Sequence, residues 1–178
     1  MNRVRKNPFK SLGTLFKVFT KKESLYIGDE SYDSSVNQNI DASTFVGFFI
    51  RTDVVKKIGL PRKDLFIYAD DLIYTLSLTS QGYKLLFVPS VKFTHDCQTL
   101  INNNDVYHPM WKVYYTYRNR IEMYRVSSKW LYLPVTFLQV IPWIMKFKYY
   151  DNKKLFFILL SYAIREYLFR PSIIFISL

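Results

Sequence analysis

Two adjacent aspartates, Asp70 and Asp71, lie inside the apolar and aromatic stretch LFIYADDLIYTLSL of residues 65–78. Charged carboxylates are rarely buried unless they are paired, hydrogen-bonded or bound to a cation. One interpretation is structural, because aspartates often cap a helix N-terminus and interact favourably with the helix dipole. The other is that the pair belongs to a binding or catalytic site.

Three features of the neighbouring sequence favour a site. The GLP turn of residues 59–61 and the apolar-aromatic strand predicted after it would bring the aspartates to a strand end, where α/β folds place their sites. His95 ends a later predicted strand. A lone histidine is usually structural, but at a strand end near an aspartate pair it is a candidate ligand for a metal ion or a phosphate. The tyrosine-rich sequence YYTYRNR then supplies Arg118 and Asn119.

The elements that would position these residues can be predicted from their patterns. The stretch STFVGFFI (43–50) is typical of a buried strand, with Gly47 permitting a close backbone approach or a bulge. TDVVKKIGLP predicts a short helix with Thr52 as its N-cap and Gly59 at its end. A second helix is predicted to be capped by one of the two aspartates and to stop at Gly82.

Two more strands and a long helix follow along the chain. YKLLFVP and VKFTH predict strands that are separated by Pro89 and Ser90. Beyond an Asn-rich loop, about twenty residues have helical periodicity. Strands followed by helices predict a mixed α/β unit. The apolar face of the long helix is formed by Met110, Val113, Tyr114, Tyr117, Ile121 and Tyr124.

The C-terminal part differs in kind from the rest. The apolar runs WLYLPVTFLQVIPWIM and LFFILLSYAI flank the basic sequence KFKYYDNKK. Each run is shorter than the roughly twenty residues that cross a bilayer. Tryptophans, tyrosines and lysines around them are typical of the headgroup level. We therefore predict two interfacial or re-entrant helices, with packing on the protein's own core as the alternative.

Charge and composition indicate the class of partner and the compartment. The chain has 25 Lys and Arg against 14 Asp and Glu, a net charge of +11, so nucleic acid, an anionic membrane surface and a phosphorylated small molecule are candidate partners. The single cysteine and a basic start without a signal-peptide core predict a cytosolic location. The predicted organisation is a basic amphipathic arm and acidic loop (1–42), an α/β unit (43–129) and membrane-associated helices (130–178).

The order and spacing of these motifs across residues 43–125 resemble the C-terminal half of family 2 glycosyltransferases of the GT-A fold. The motifs are FVGFFI, GLP, FIYADDLIYTLSL, GYKLLFVP, the histidine and YYTYRNR. The likeness is greatest to bacterial galactofuranosyl- and rhamnosyltransferases. It implies a partial GT-A fold with a helical, membrane-associating tail. It also implies inverting transfer of a sugar from a nucleotide-sugar donor to a growing cell-surface polysaccharide or glycolipid.

The resemblance also assigns roles to individual residues. It implies that Asp71 is the base that takes the proton of the acceptor hydroxyl, and that Asp70 supports it or orients the acceptor. Arg118 and Asn119 match the family's Arg-Asn pair and would frame the site or face a phosphate. With Tyr74, they are assigned to substrate binding.

A metal and a membrane location follow from the same resemblance. His95 would be a ligand of a divalent cation, Mn²⁺ or Mg²⁺, that neutralises the leaving nucleotide diphosphate. The protein is expected at the cytoplasmic face of the cell membrane, as a peripheral protein.

The sequence departs from the family pattern in two ways. Ala69 replaces the tryptophan before the aspartate pair and Ile73 replaces the following acid, so the family's acceptor is not implied. The family's Asp-x-Asp motif is also missing, so we expect the acceptor-side half of such an enzyme. This half would be a truncated reading frame, a domain fragment, or one piece of a split enzyme whose partner chain supplies donor binding. The alternative is a non-catalytic, basic, membrane-associated interaction protein. A nucleic-acid binder is a third interpretation, but no known nucleic-acid motif occurs and we predict no such partner.

Overall fold

The computed structural model describes residues 6–11, 13, 24–94 and 106–168. Helices dominate this part of the chain, and one small antiparallel sheet accompanies them. This combination is compatible with the α/β class in its broad sense. The strands are β1 (Gln38–Ile40) and β2 (Leu85–Phe87), and the α-helices are α1 (Thr52–Ile58), α2 (Asp70–Ser80), α3 (Trp111–Ser128), α4 (Tyr132–Met145) and α5 (Lys153–Leu168).

Strand β2 confirms the strand predicted in YKLLFVP, but its partner β1 lies outside the predicted strands. Ile40 lies opposite Leu85 in the antiparallel register. Ile40 and Phe87 pack with Ile27 in a small core. The strand predicted in VKFTH is wrong for its described part, because residues 91–94 are irregular.

The strand predicted at 43–50 is also wrong, because this stretch turns at Gly47, whose φ is +66°. The Thr75 hydroxyl of α2 satisfies the backbone in place of a neighbouring strand. The hydroxyl oxygen accepts a hydrogen bond from the Ser43 N–H at 3.0 Å. The same hydroxyl is also placed to donate to the Ser43 carbonyl oxygen, at 3.1 Å. A Cβ at Gly47 would overlap the ring of Phe93, which confirms the predicted close approach.

The predicted helices are confirmed, with changes at their N-termini. Helix α1 is preceded by Arg51 as its cap, so Thr52 is its first residue, and Gly59 ends it with φ +89°. Helix α2 starts at Asp70 and has Ala69 at the cap position. The prediction that an aspartate caps this helix is therefore wrong.

The main core forms around α3, and the predicted apolar face of this helix is confirmed. Val113, Tyr117 and Ile121 are at most 2% exposed. Trp143 of α4 contacts this face, with its ring centroid 4.9 Å from that of Tyr117. Each tail helix therefore packs one side on α3, across the boundary predicted at residue 129. The core residues from α5 are Phe156, Leu160, Ala163 and Tyr167.

Most of the basic amphipathic arm predicted within residues 1–42 lies outside the described residues, but its described part is held by hydrogen bonds. The Asn7 N–H donates to Asp41 Oδ2 at 2.6 Å, and the Asn7 side chain donates to the Ser127 carbonyl at 3.0 Å. Lys10 forms an ion pair with Asp41. These contacts join the basic arm to the acidic loop and to the end of α3.

Among the described residues, one helical stretch, Trp111–Tyr149, is long and apolar enough to cross a membrane. Core helices of soluble proteins can have the same length and composition. The stretch is interrupted between α3 and α4, where Lys129 has φ +52°.

Candidate active site

The aspartate pair lies at the N-terminus of α2, where both residues are half-buried. The Leu72 N–H donates to Asp71 Oδ1 at 2.7 Å. Burial raises the pKa of Asp71, and the neighbouring Asp70 charge adds to this, while the N–H groups of Leu72 and Phe45 oppose it. A carboxylate with a raised pKa is a stronger base than an ordinary aspartate. Asp71 is therefore suited to accept a proton.

The raised pKa predicts how Asp71 affects stability. The pKa of Asp71 is higher in the folded state than in the unfolded state. Its protonated carboxyl therefore adds to the free energy of unfolding at pH values below the unfolded pKa. This contribution is lost as the pH rises through the folded pKa. We therefore expect Asp71→Asn to raise the free energy of unfolding at pH 7 and to lose this advantage at pH 3. Urea unfolding of wild type and variant at both pH values measures this difference in the free energy of unfolding.

Asp53→Asn is the matched control for this prediction. Asp53 is an exposed aspartate in α1, and its pKa is lowered by its hydrogen bond with Arg51. Its replacement should leave stability unchanged or reduce it at pH 7. An Asp71→Asn variant that is less stable than wild type at pH 7 would contradict the proposed desolvation.

The loop of residues 64–69 that leads to the aspartates has an unusual backbone. Phe66, Tyr68 and Ala69 have φ values of +61°, +66° and +59°. Such conformations cost non-glycine residues on the order of 1–3 kcal/mol each, and they concentrate at functional sites. The Ile67 N–H donates to the Leu65 carbonyl at 2.7 Å, which closes a tight turn. The prediction of a strand that leads to Asp70 and Asp71 is thus wrong, because a strained loop precedes them instead.

Asn119 of α3 holds this loop in place. Its Nδ2 donates to the carbonyls of Leu65, Ile67 and Tyr68 at 2.8, 2.8 and 2.9 Å. The side chain is fully buried. A buried amide that donates to three carbonyls of one loop ties the loop backbone to α3. Asn119 therefore fixes the position of the loop through its backbone carbonyls.

Arg118 supports the same loop. Its Nη2 donates to the Asp64 carbonyl at 2.5 Å and to the Leu65 carbonyl at 3.2 Å, and its Nε donates to Asn119 Oδ1 at 2.9 Å. The residue is only 6% exposed. The Arg118–Asn119 pair thus frames the site through backbone contacts. Direct contact of either residue with a phosphate or substrate stays a prediction.

Tyr74 lies one turn along α2 from the aspartates, but its hydroxyl is engaged inside the fold. It donates to the Gly59 carbonyl at 2.8 Å, and its ring contacts Phe45 edge to face. Burial raises the pKa of Tyr74. These contacts fix the end of α1 against α2, and a role of Tyr74 in substrate binding stays a prediction.

A buried ionic cluster lies behind the loop and was not found from the sequence. Glu122 of α3 is fully buried and pairs with Arg62, with Arg125 at 2.8 Å and with the Tyr167 hydroxyl at 2.5 Å. Burial alone would raise the pKa of Glu122, but the hydrogen bonds and charges of these partners outweigh it and lower the pKa. Arg62 also pairs with Asp64, so the cluster holds the start of the loop. Its sequence signal was the spacing of Glu122 and Arg125, which suits a pair on one helix face.

The described residues do not form a metal site by themselves. Within them, no group of three or more His, Cys, Asp and Glu side chains is placed to hold a metal ion. His95, the predicted metal ligand, lies outside the described residues. The divalent cation and its histidine ligand therefore stay predictions.

Comparisons with known proteins add no relative from which function could be transferred. No family model, no curated protein and no solved structure matches this chain. The likeness to family 2 glycosyltransferases therefore remains a resemblance of short motifs.

Proposed function

We propose that the chain is the acceptor-side half of a GT-A-type inverting glycosyltransferase, with Asp71 as its catalytic base. The observation that carries this proposal is the support of the aspartate pair. A desolvated carboxylate follows a strained loop, and that loop is held by the buried Arg118–Asn119 pair. A simple helix cap needs neither the strain nor the buried donors. Both are expected where a catalytic group must keep one position.

The proposed chemistry uses the raised basicity of Asp71. The oxygen of an acceptor sugar hydroxyl forms a bond to the anomeric carbon of the donor, and the bond from that carbon to the nucleotide diphosphate breaks. The hydroxyl proton passes to the Asp71 carboxylate. A hydroxyl is a poor nucleophile, so a positioned base contributes substantially to the rate. Asp70 would accept a hydrogen bond from the acceptor and orient it.

Donor binding is proposed to come from a nucleotide-binding unit outside these 178 residues. The sequence contains no Asp-x-Asp motif of the kind that holds the donor diphosphate in the family it resembles. Alignment of the base, the acceptor and the anomeric carbon is a precondition of transfer. The unit that binds the donor should therefore carry such a motif.

A transfer screen tests this proposal. Membranes of cells that make the chain are given a panel of labelled nucleotide sugars with Mn²⁺ or Mg²⁺, and incorporation into lipid-linked glycan is measured. Incorporation that depends on this chain and is lost with Asp71→Asn supports the proposal. Incorporation that is unchanged when the chain is deleted contradicts it.

A second candidate function is that of a non-catalytic, membrane-associated interaction protein, and an exposed apolar stripe on α4 favours it. The stripe follows helical spacing and faces away from the core. Its flanks carry Lys129, Lys146 and Lys148. Apolar surface bordered by lysines suits the interface of an anionic bilayer. The stripe residues, 49–80% exposed, are Trp130 in the turn just before α4 and, on α4 itself, Leu133, Phe137, Leu138, Ile141 and Met145.

Both candidates place the protein at the inner membrane surface, and α4 provides the test. Removing the tail would also remove core residues, so point variants are needed. Phe137→Glu changes a residue that is 70% exposed. It should weaken binding to phosphatidylglycerol-containing vesicles by about tenfold or more, since burying such a side chain is worth about 1.5–3 kcal/mol. Vesicle co-sedimentation measures the binding.

Phe49→Glu is the matched control, because Phe49 is 82% exposed and lies outside the stripe. It should leave vesicle binding unchanged. Higher salt should weaken the binding of the wild-type protein to these vesicles, since each lysine near an anionic surface contributes about 1 kcal/mol. Equal vesicle binding of wild type and Phe137→Glu would exclude the stripe as the membrane contact.

A further inference from the structure

Three aromatic rings form an exposed cluster next to the aspartate loop. Phe66 contacts Trp111 and Tyr115 of α3, with ring centroids 5.9 and 5.1 Å apart, and Trp111 meets Tyr115 at 5.8 Å. Phe66 is 68% exposed and Trp111 is 42% exposed. We call Phe66, Trp111 and Tyr115 the aromatic platform. None of these residues was predicted to take part in a site.

The position of Phe66 is unfavourable in two ways. Its backbone is strained, with φ +61°, and its ring is largely in solvent. A strained conformation persists only when its surroundings fix it, and such residues cluster where ligands bind. The neighbouring carbonyls of Leu65 and Ile67 are bound by Asn119, so the fold fixes this backbone. The protein thus holds an exposed aromatic ring in one place at a cost to its stability.

Arg118 connects the platform with the aspartate loop. Its guanidinium carbon lies 4.9 Å from the centroid of the Tyr115 ring, within the range of a cation–π contact. The same guanidinium donates to the carbonyls of Asp64 and Leu65. The Tyr115 ring and the backbone that carries Phe66 are therefore held by one buried side chain.

We propose that the aromatic platform binds a pyranose ring of the acceptor glycan. A pyranose ring has an apolar C–H face and a rim of hydroxyl groups. The negative face of an aromatic ring attracts polarised C–H groups. The hydroxyl rim needs hydrogen-bond acceptors, and the loop that carries Phe66 leads directly into Asp70 and Asp71. The identity of this sugar as an acceptor rests on the proposed function.

The same chemistry separates this surface from the lysine-flanked stripe on α4. The loop next to the platform ends in two carboxylates, which would repel an anionic headgroup. An uncharged polyhydroxylated ring has no such conflict. An apolar protein partner would leave the carboxylates unpaired, which is unfavourable.

The three tryptophans of the chain allow a test with internal controls. Trp111 belongs to the platform, Trp130 is 80% exposed in the lysine-flanked stripe, and Trp143 is 2% exposed in the core. Methyl β-galactopyranoside is titrated into the full chain, and the three indole N–H signals are followed by NMR. The Trp111 signal should shift with a millimolar dissociation constant, while the other two signals stay in place. Galactitol, an open-chain polyol without a rigid C–H face, should shift none.

Phe66→Gly tests the platform without endangering the fold. Glycine adopts positive φ freely, so the variant relieves the strain and should be at least as stable as wild type. The pyranoside should bind it about tenfold more weakly or not at all. Phe49→Gly, which removes another exposed phenylalanine, should leave the titration unchanged.

The outcomes separate this inference from the proposed function. An unmoved Trp111 signal, an equal shift with galactitol or unchanged binding in Phe66→Gly would each overturn the platform as a sugar site. None of these results depends on catalysis. Binding at Trp111 that persists in Asp71→Asn, together with a transfer screen that finds no activity, would support the platform and remove the transferase proposal.

Discussion

Asp71→Asn is expected to reduce sugar transfer by about 10²–10⁴-fold while the fold stays intact, because a general base contributes about this much. Asparagine has the same size and keeps an oxygen that can accept the Leu72 N–H. It cannot take a proton from the acceptor hydroxyl. Initial rates at saturating donor and acceptor measure the loss, and circular dichroism checks the fold. Substantial turnover in the variant would exclude Asp71 as the base.

The control variants for this experiment come from the same chain. Asp70→Asn removes the neighbouring charge and should have a smaller effect on the rate, since Asp70 is assigned to orientation. Asp53→Asn, in exposed helix α1, should have no effect on the rate. The wild-type rate should rise with pH through the pKa of Asp71, because only the ionised carboxylate accepts the proton. A pH profile that is unchanged by Asp71→Asn would contradict the assignment.

The sequence was sufficient to predict the helices because their signals are local. The apolar positions of α3 recur at helical spacing, and three of them, Val113, Tyr117 and Ile121, are buried in the core. The glycines at 59 and 82 mark turns through their positive φ values. The aspartate pair was noticed because charge is unusual within an apolar run.

The remaining features depend on contacts between distant residues. The strand predicted at 43–50 fails because Thr75, far along the chain, satisfies the backbone of Ser43. The strained loop depends on Asn119 of α3, which no local pattern connects with Leu65. The aromatic platform was missed for a related reason, since the exposure of Phe66 is a property of the folded loop.

The second large effect is expected at Glu122. Glu122→Ala should lower the free energy of unfolding by roughly 3–5 kcal/mol, the usual cost of removing one partner of a buried ion pair. Arg62, Arg125 and the Tyr167 hydroxyl all lose their shared acceptor. Denaturant unfolding measures the loss. Glu30→Gln, at an exposed carboxylate, is the control and should change stability little.

Glu122→Gln separates the charge of this residue from its shape. Glutamine keeps an oxygen that accepts from the Tyr167 hydroxyl, but it leaves Arg62 and Arg125 without the Glu122 counter-charge. The Glu122→Gln protein should therefore be destabilised nearly as much as the alanine variant. The lowered pKa of Glu122 sets the pH dependence. Its contribution is present above the unfolded pKa and is lost as the pH falls through the folded pKa, so the difference between wild type and Glu122→Gln should shrink in acid. A difference that stays constant from pH 7 to pH 3 would show that the cluster acts through packing alone.

Because Arg62 also holds Asp64 at the start of the aspartate loop, the Gln variant should lose transfer activity at temperatures below its unfolding transition.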